Sequence, residues 1–148
     1  MSTKCYNTYF SNQNLFTVPA NCCLSRICTE TSNRHIFESL YRVIKSLENP
    51  STRIQLSSFY NCLAIQLSKN DCFMTFPDMI YRIESDEVFI EWIFSDFRLG
   101  ILFCDNPYES GWDIVVNTPE GVRSSSSMFN EDMSSAVSNM FEFISRLA

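Results

Sequence analysis

The residues of this chain that could do chemistry are few: one histidine, His35, seven cysteines, and carboxylates gathered in the second half. A pair drawn from Cys22, Cys23 or Cys28 with His35 would supply a nucleophile and its base, the parts of a small hydrolase or transferase, if the thiol pKa were lowered. A serine triad would also need His35, and no GxSxG turn is present to present a serine. The same four residues raise zinc. Ligands within a zinc knuckle sit two to four residues apart, whereas CCLSRIC offers adjacent cysteines or gaps of four and five. No metal site is therefore expected. With three glycines in the chain, and neither a P-loop nor a dinucleotide fingerprint, no nucleotide cofactor is expected either.

The carboxylates pose a sharper question in the stretch FIEWIF, where Glu91 is set between Ile90 and Trp92. Pro77-Asp78 followed by Glu91 resembles the start of the nuclease pattern that pairs PD with (D/E)xK, but Ile93 stands where the lysine belongs. A glycosidase would need two facing carboxylates and aromatic platforms, and Trp92 and Trp112 both fall on the core side of the pattern. If Ile90 and Trp92 face inward, Glu91 lies on the opposite sheet face beside Arg82 and Glu84, as half of a cross-strand charge pair.

Charge is distributed unevenly. Residues 1–53 carry a net +3 and residues 54–148 a net −9, which together give the −6 of the whole chain. Between Asp78 and Asp113 nine carboxylates face only Arg82 and Arg98. Nucleic-acid affinity rests on cations that displace counterions, so direct DNA or RNA binding is not expected here. A protein partner with a basic surface is. The acids expected to meet it are Asp86, Glu87, Asp96, Asp105 and Glu109 at turns, with Glu91 and Asp113 on the open face.

The elements that must position these residues follow from periodicity. At 148 residues the chain is the size of one domain, and 45% hydrophobic residues suffice for a core. No run is long enough to span a bilayer, and the start MSTKCYNTYFSNQNLF lacks the apolar centre of a signal peptide, so a cytoplasmic protein with reduced thiols is expected. Residues 1–31 read as an irregular arm with one short strand near Tyr6 to Phe10. Residues 32–69 read as helical: Ile36, Phe37, Leu40, Val43, Ile44 and Leu47 form a stripe capped at Ser32 or Asn33 and stopped at Asn49-Pro50, and a second helix is expected from Ser57 to Ser68. Over 77–118 the period becomes two, in four runs joined by short turns, which predicts a four-stranded antiparallel meander. TPEGVRSSSSMFN reads as a loop. Residues 130–147 read as a C-terminal helix with Asn130 as its cap and a stripe of Met133, Val137, Met140, Phe141, Ile144 and Leu147. The fold class expected is α+β, a single domain with helices packed on one face of the sheet.

The segment PDMIYRIESDEVFIEW, Pro77 to Trp92, resembles one found in many small bacterial proteins, in which a helix is followed by P-x-I, a turn of the DG type, and I-x-L-E-W. Met79 departs from that pattern, as do Asp86-Glu87 where the turn glycine would stand. The resemblance implies a small accessory or antagonist protein of the kind found in toxin–antitoxin or mobile-element neighbourhoods. Together these features predict a small acidic binding protein, without catalysis of its own, that neutralises a partner as immunity proteins, antitoxins and anti-defence proteins do. The alternatives are the Cys–His or carboxylate enzyme, and a structural subunit that oligomerises, for instance as a homodimer, through the mixed face carrying Ile80, Phe89, Ile93 and Val115.

Overall fold

The computed structural model of the protein describes residues 6–7, 16–17, 24–69, 75–129 and 132–147. Two short strands, β1 (Tyr6–Asn7) and β2 (Phe16–Thr17), pair antiparallel in the arm. Helices α1 (Leu24–Ser46) and α2 (Pro50–Lys69) follow. Then come β3 (Ile80–Glu84), β4 (Glu87–Ile93), β5 (Phe97–Phe103), β6 (Gly111–Thr118) and β7 (Gly121–Met128), and last α3 (Met133–Ser145). The α+β class holds, but the sheet has five strands rather than four, paired antiparallel in sequence order from β3 to β7.

The fifth strand is the run expected to be a loop. Ser124, Ser125, Ser126 and Ser127 lie opposite Val115, Ile114, Asp113 and Trp112. As an edge strand exposed on nearly every residue, β7 has no need of apolar alternation. Its ladder and its turn hold it instead: Gly121 sits at φ +129°, and Thr118 Oγ1 donates to its carbonyl at 2.6 Å.

The core lies between one sheet face and the helices. Val88, Ile90 and Trp92 on β4, Leu99, Ile101 and Phe103 on β5, and Trp112 and Ile114 on β6 are all buried. Phe59 of α2 meets Phe103 edge-on at 5.6 Å, and Trp112 packs at 6.2 Å from Phe143 of α3. Phe76 and Phe129, just outside the strands, close the two sides, Phe76 edge-on to Trp92 at 5.1 Å and Phe129 stacked on Phe103 at 5.4 Å. The stripe expected on α3 is buried at Val137, Met140, Phe141 and Ile144.

Helix boundaries depart from expectation for local reasons. α1 begins at Leu24, inside the stretch expected to be irregular. Asn33 is consequently a buried mid-helix residue, and its side-chain oxygen accepts the N–H of Phe76 at 2.9 Å instead of capping the helix. Asn49-Pro50 not only stops α1 but starts α2. Asn49 Oδ1 accepts the N–H of Thr52 at 3.0 Å, and Pro50 stands at the first helical position, where its missing N–H costs nothing. α2 therefore starts at Pro50 rather than at Ser57. For α3 the cap is Asp132, which accepts from Ser135 N at 3.2 Å and from Ser135 Oγ at 2.6 Å. Asn130 lies outside the described residues. The Ser135 hydrogen bonds hold the Asp132 carboxyl below the usual carboxylate range, so its capping contribution is present at neutral pH and fades as pH falls through that lowered value.

A buried polar network ties α2 to the β5–β6 connection. Gln55 Nε2 donates to the Cys104 carbonyl at 2.7 Å and to Ser51 Oγ at 3.1 Å, Ser110 Oγ donates to Gln55 Oε1, and Ser110 Oγ accepts the Cys104 N–H at 2.8 Å. Replacing Gln55 by Ala leaves the Ser110 hydroxyl and the Cys104 carbonyl buried without these partners. Gln55→Ala is expected to destabilise the protein by about 1–3 kcal/mol in urea denaturation, whereas an exposed residue of the same helix, as in Ile54→Ala, changes stability by less than about 0.5 kcal/mol.

Candidate functional site

The seven acids singled out by position fall into three groups. Asp86, Glu87, Asp105 and Glu109 gather at one end of the sheet, where the β3–β4 turn and the β5–β6 connection meet the start of α2. Glu91 and Asp113 lie at the centre of the open face. Asp96 stands alone in the β4–β5 turn, where its carbonyl lies 3.5 Å from the Asn117 N–H.

Asn49 organises the first group. Because its side-chain oxygen caps α2, its Nδ2 is turned the other way and donates to Asp86 Oδ1 at 3.1 Å and to Asp105 Oδ1 at 2.9 Å. Ser51 Oγ donates to the Asp105 carbonyl at 2.6 Å, fixing the same connection from the first turn of the helix. The positive end of the α2 dipole thus lies beside carboxylates, which offsets part of their mutual repulsion. Glu87 and Glu109 flank Cys104, whose Sγ lies 3.9 Å from Glu87 Oε2 and 3.7 Å from the Glu109 carbonyl. Burial pushes the Cys104 thiol above its ordinary value, and the two carboxylates push it further. The thiol is held protonated, the opposite of what a nucleophile needs. Among the described residues no cation lies within ion-pairing distance of Asp86, Glu87, Asp105 or Glu109.

The second group is neutralised from within the sheet. Glu91 sits opposite Ile80 on one side and Gly100 on the other, and its side chain is only 15% exposed. Its partner is Arg98, with Nε at 3.1 Å from Glu91 Oε2 and Nη2 at 3.9 Å from Asp113 Oδ2. Arg82 and Glu84, expected beside Glu91, pair with each other instead at 2.9 Å, and the Arg82 guanidinium lies over the Phe89 ring at 5.2 Å. Gly100 leaves the space that the Asp113 carboxylate occupies, since a Cβ there would meet Asp113 Oδ1.

Two depressions open on this face on either side of Leu102. One, of about 240 Å³, is lined by Arg82, Glu84, Glu87, Phe89 and Leu102. The other, of about 340 Å³, includes Leu102, Glu109, Gly111, Asp113, Ser126 and Met128 in its walls. Gly111 is required at its floor because the Ser127 carbonyl of β7 occupies the place a Cβ would take. Sequence alone did not expose either depression. Met128 joins Glu109 and Asp113 only once β7 is recognised as a strand opposite β6.

Of the histidine and cysteines considered for catalysis, the structure describes the surroundings of His35. His35 Nε2 lies 3.3 Å from the Pro77 carbonyl and 3.8 Å from Asp78 Oδ1, neither of them a thiol. Cys22 and Cys23 lie outside the described residues, and Cys28 falls on α1. Among the described residues no cluster of His, Cys, Asp or Glu is arranged to hold a metal ion, and no helix is long and apolar enough to cross a membrane. Trp92 and Trp112 are buried and offer no stacking surface. Neither a protein-family model, nor a curated protein, nor a solved structure matches this chain.

The enclosure of Glu91 has a measurable consequence. Arg98→Met removes the cation from a carboxylate that water reaches poorly, and should cost about 1–2 kcal/mol in thermal or urea denaturation, between the values for exposed and buried pairs. Adding Glu91→Gln to that variant should recover most of the loss. A double variant no more stable than Arg98→Met alone would show that the pair is not coupled.

Proposed function

We propose that the protein is a binding module that meets a basic surface of another protein through the acidic end of its sheet and the adjoining open face. The observation that carries this reading is the set of Asp86, Glu87, Asp105 and Glu109 at one end of the sheet, with Asn49 bridging Asp86 and Asp105 and no described cation paired to any of the four. The depressions beside Leu102 extend it. Each sets a carboxylate without a described ion pair beside an apolar residue, Glu87 with Phe89 in one and Glu109 with Met128 in the other. That chemistry suits a lysine or arginine, whose aliphatic stem covers the apolar residues while its charged head reaches the carboxylates. Charge of this kind raises the encounter rate and makes it depend on salt. Occupying a partner's basic surface would block whatever anion that surface serves, so the module acts as an inhibitor of the immunity, antitoxin or anti-defence kind.

The test is affinity capture from the native host at about 50 mM and 500 mM salt, a span over which surface charge becomes strongly screened. Wild type is compared with a variant carrying Asp86→Asn, Glu87→Gln, Asp105→Asn and Glu109→Gln. The expected result is a basic protein retained by wild type at low salt, released at high salt and lost by the variant. Identical captures by wild type and variant would refute the proposal.

A further inference from the structure

The first strand of the sheet has a free edge of unusual make-up. Among the described residues no strand pairs with the outer side of β3. All five of its residues are exposed, including Ile80 at 50%, Tyr81 at 53% and Ile83 at 40%. Exposed edges carrying apolar residues on both faces are sites where another strand adds. The β3–β4 hairpin fixes which backbone groups are available. Its two-residue turn, Ser85-Asp86 with Ser85 at φ 50°, is closed by Glu84 opposite Glu87. Alternation along an antiparallel ladder then turns the N–H and C=O of Glu84 and Arg82 toward β4, and those of Ile83 and Tyr81 toward the free edge.

The side chains identify what fits there. We propose that β3 pairs antiparallel with β3 of a second copy of this chain about a two-fold axis at Ile83, joining two five-stranded sheets edge to edge. A two-fold axis through the sheet keeps each face on its own side, so only residues of the same face can stand opposite one another. Three registers are then open. Centring on Arg82 sets two guanidiniums against each other at the closer, non-hydrogen-bonded spacing, and centring on Tyr81 sets Arg82 against Ile80. Centring on Ile83 places Arg82 of each copy opposite Glu84 of the other, forming two reciprocal ion pairs on the open face. It also sets Ile83 against Ile83 on the helix face, with both outward backbone groups of Ile83 hydrogen-bonded. Within one chain Arg82 already pairs with its own Glu84 at 2.9 Å and lies over the Phe89 ring, so in the dimer the two arginines and two glutamates form one cluster of alternating charge. The self-complementary surface is of the kind a symmetric dimer requires. The pairing takes up Arg82 and Glu84 in the wall of the smaller depression but none of Asp86, Asp105 or Glu109, and it does not require the proposed basic partner.

Sedimentation or light scattering over a concentration range up to about 1 mM, which covers weak interfaces, tests this with charge reversals. Wild type should show a concentration-dependent dimer. Arg82→Glu and Glu84→Arg should each be monomeric where wild type is dimeric, because each variant strand carries two like charges. An equimolar mixture of the two variants should recover the dimer mass, since the strands are then opposite in sign. Wild type that stays monomeric throughout, variants that associate as wild type does, or folded variants that fail to associate on mixing would each overturn the proposal. Amide exchange on wild type alone gives a second test, should a variant fail to fold. Protection of the Ile83 N–H should rise with protein concentration while that of Val122, on the opposite edge strand, stays constant. An Ile83 rate independent of concentration would overturn the pairing.

Discussion

The structure depends on one constraint: the large apolar residues of the three central strands alternate in phase, so that all of them reach the helices together. Val88, Ile90 and Trp92, Leu99, Ile101 and Phe103, and Trp112 and Ile114 share one face. A slip of one residue in any strand would send its share of that set to the solvent side, at roughly 1.5–3 kcal/mol for each side chain. A surface ion pair contributes only about 0–1 kcal/mol, so no arrangement of the charges on the other face could compensate. The apolar face therefore dictates the registers. The registers in turn place Glu91 beside Gly100, Leu102 beside Gly111, and Ile80 at a free edge.

The acidic end is positioned by the same packing through a different route. Asn49 reaches Asp86 and Asp105 only because α2 begins there and lies against the sheet, and the Gln55–Ser110 network holds the β5–β6 connection to that helix. One side chain thus divides its two polar atoms between a helix cap and a pair of aspartates. Repulsion among the four carboxylates is borne by a rigid support, which is what a preformed contact surface for a cationic partner needs.

Much of this was legible in the sequence where burial imposes a period, and little of it elsewhere. The alternation in VFIEWIF and the stripe on α3 announce half-buried elements, and the structure buries Val88, Ile90 and Trp92 in the first and Val137, Met140, Phe141 and Ile144 in the second, with Phe94, Met133 and Leu147 partly buried beside them. VRSSSSM shows no alternation because an edge strand exposed on both faces has nothing to bury, so its ladder with β6 is invisible in composition. PSTRIQ at the start of α2 was hidden in a similar way. Its polar residues read as a connector until Asn49 is seen accepting the Thr52 N–H. The acids were recognisable as a group by charge, but their division was not. Arg98 lies seven positions from Glu91 in sequence and becomes its partner only through the β4–β5 register, which also leaves Arg82 to Glu84.

Residue-resolved amide hydrogen exchange tests the governing constraint most directly. The slowest amides should be those bonded within β4, β5 and the first half of β6, together with the inner face of α2, opening only with global unfolding. The outward-facing amides of β7 should exchange orders of magnitude faster at all protein concentrations. Central strands that exchange as fast as β7, or strongest protection along the serine run, would contradict a fold whose registers are set by its buried face.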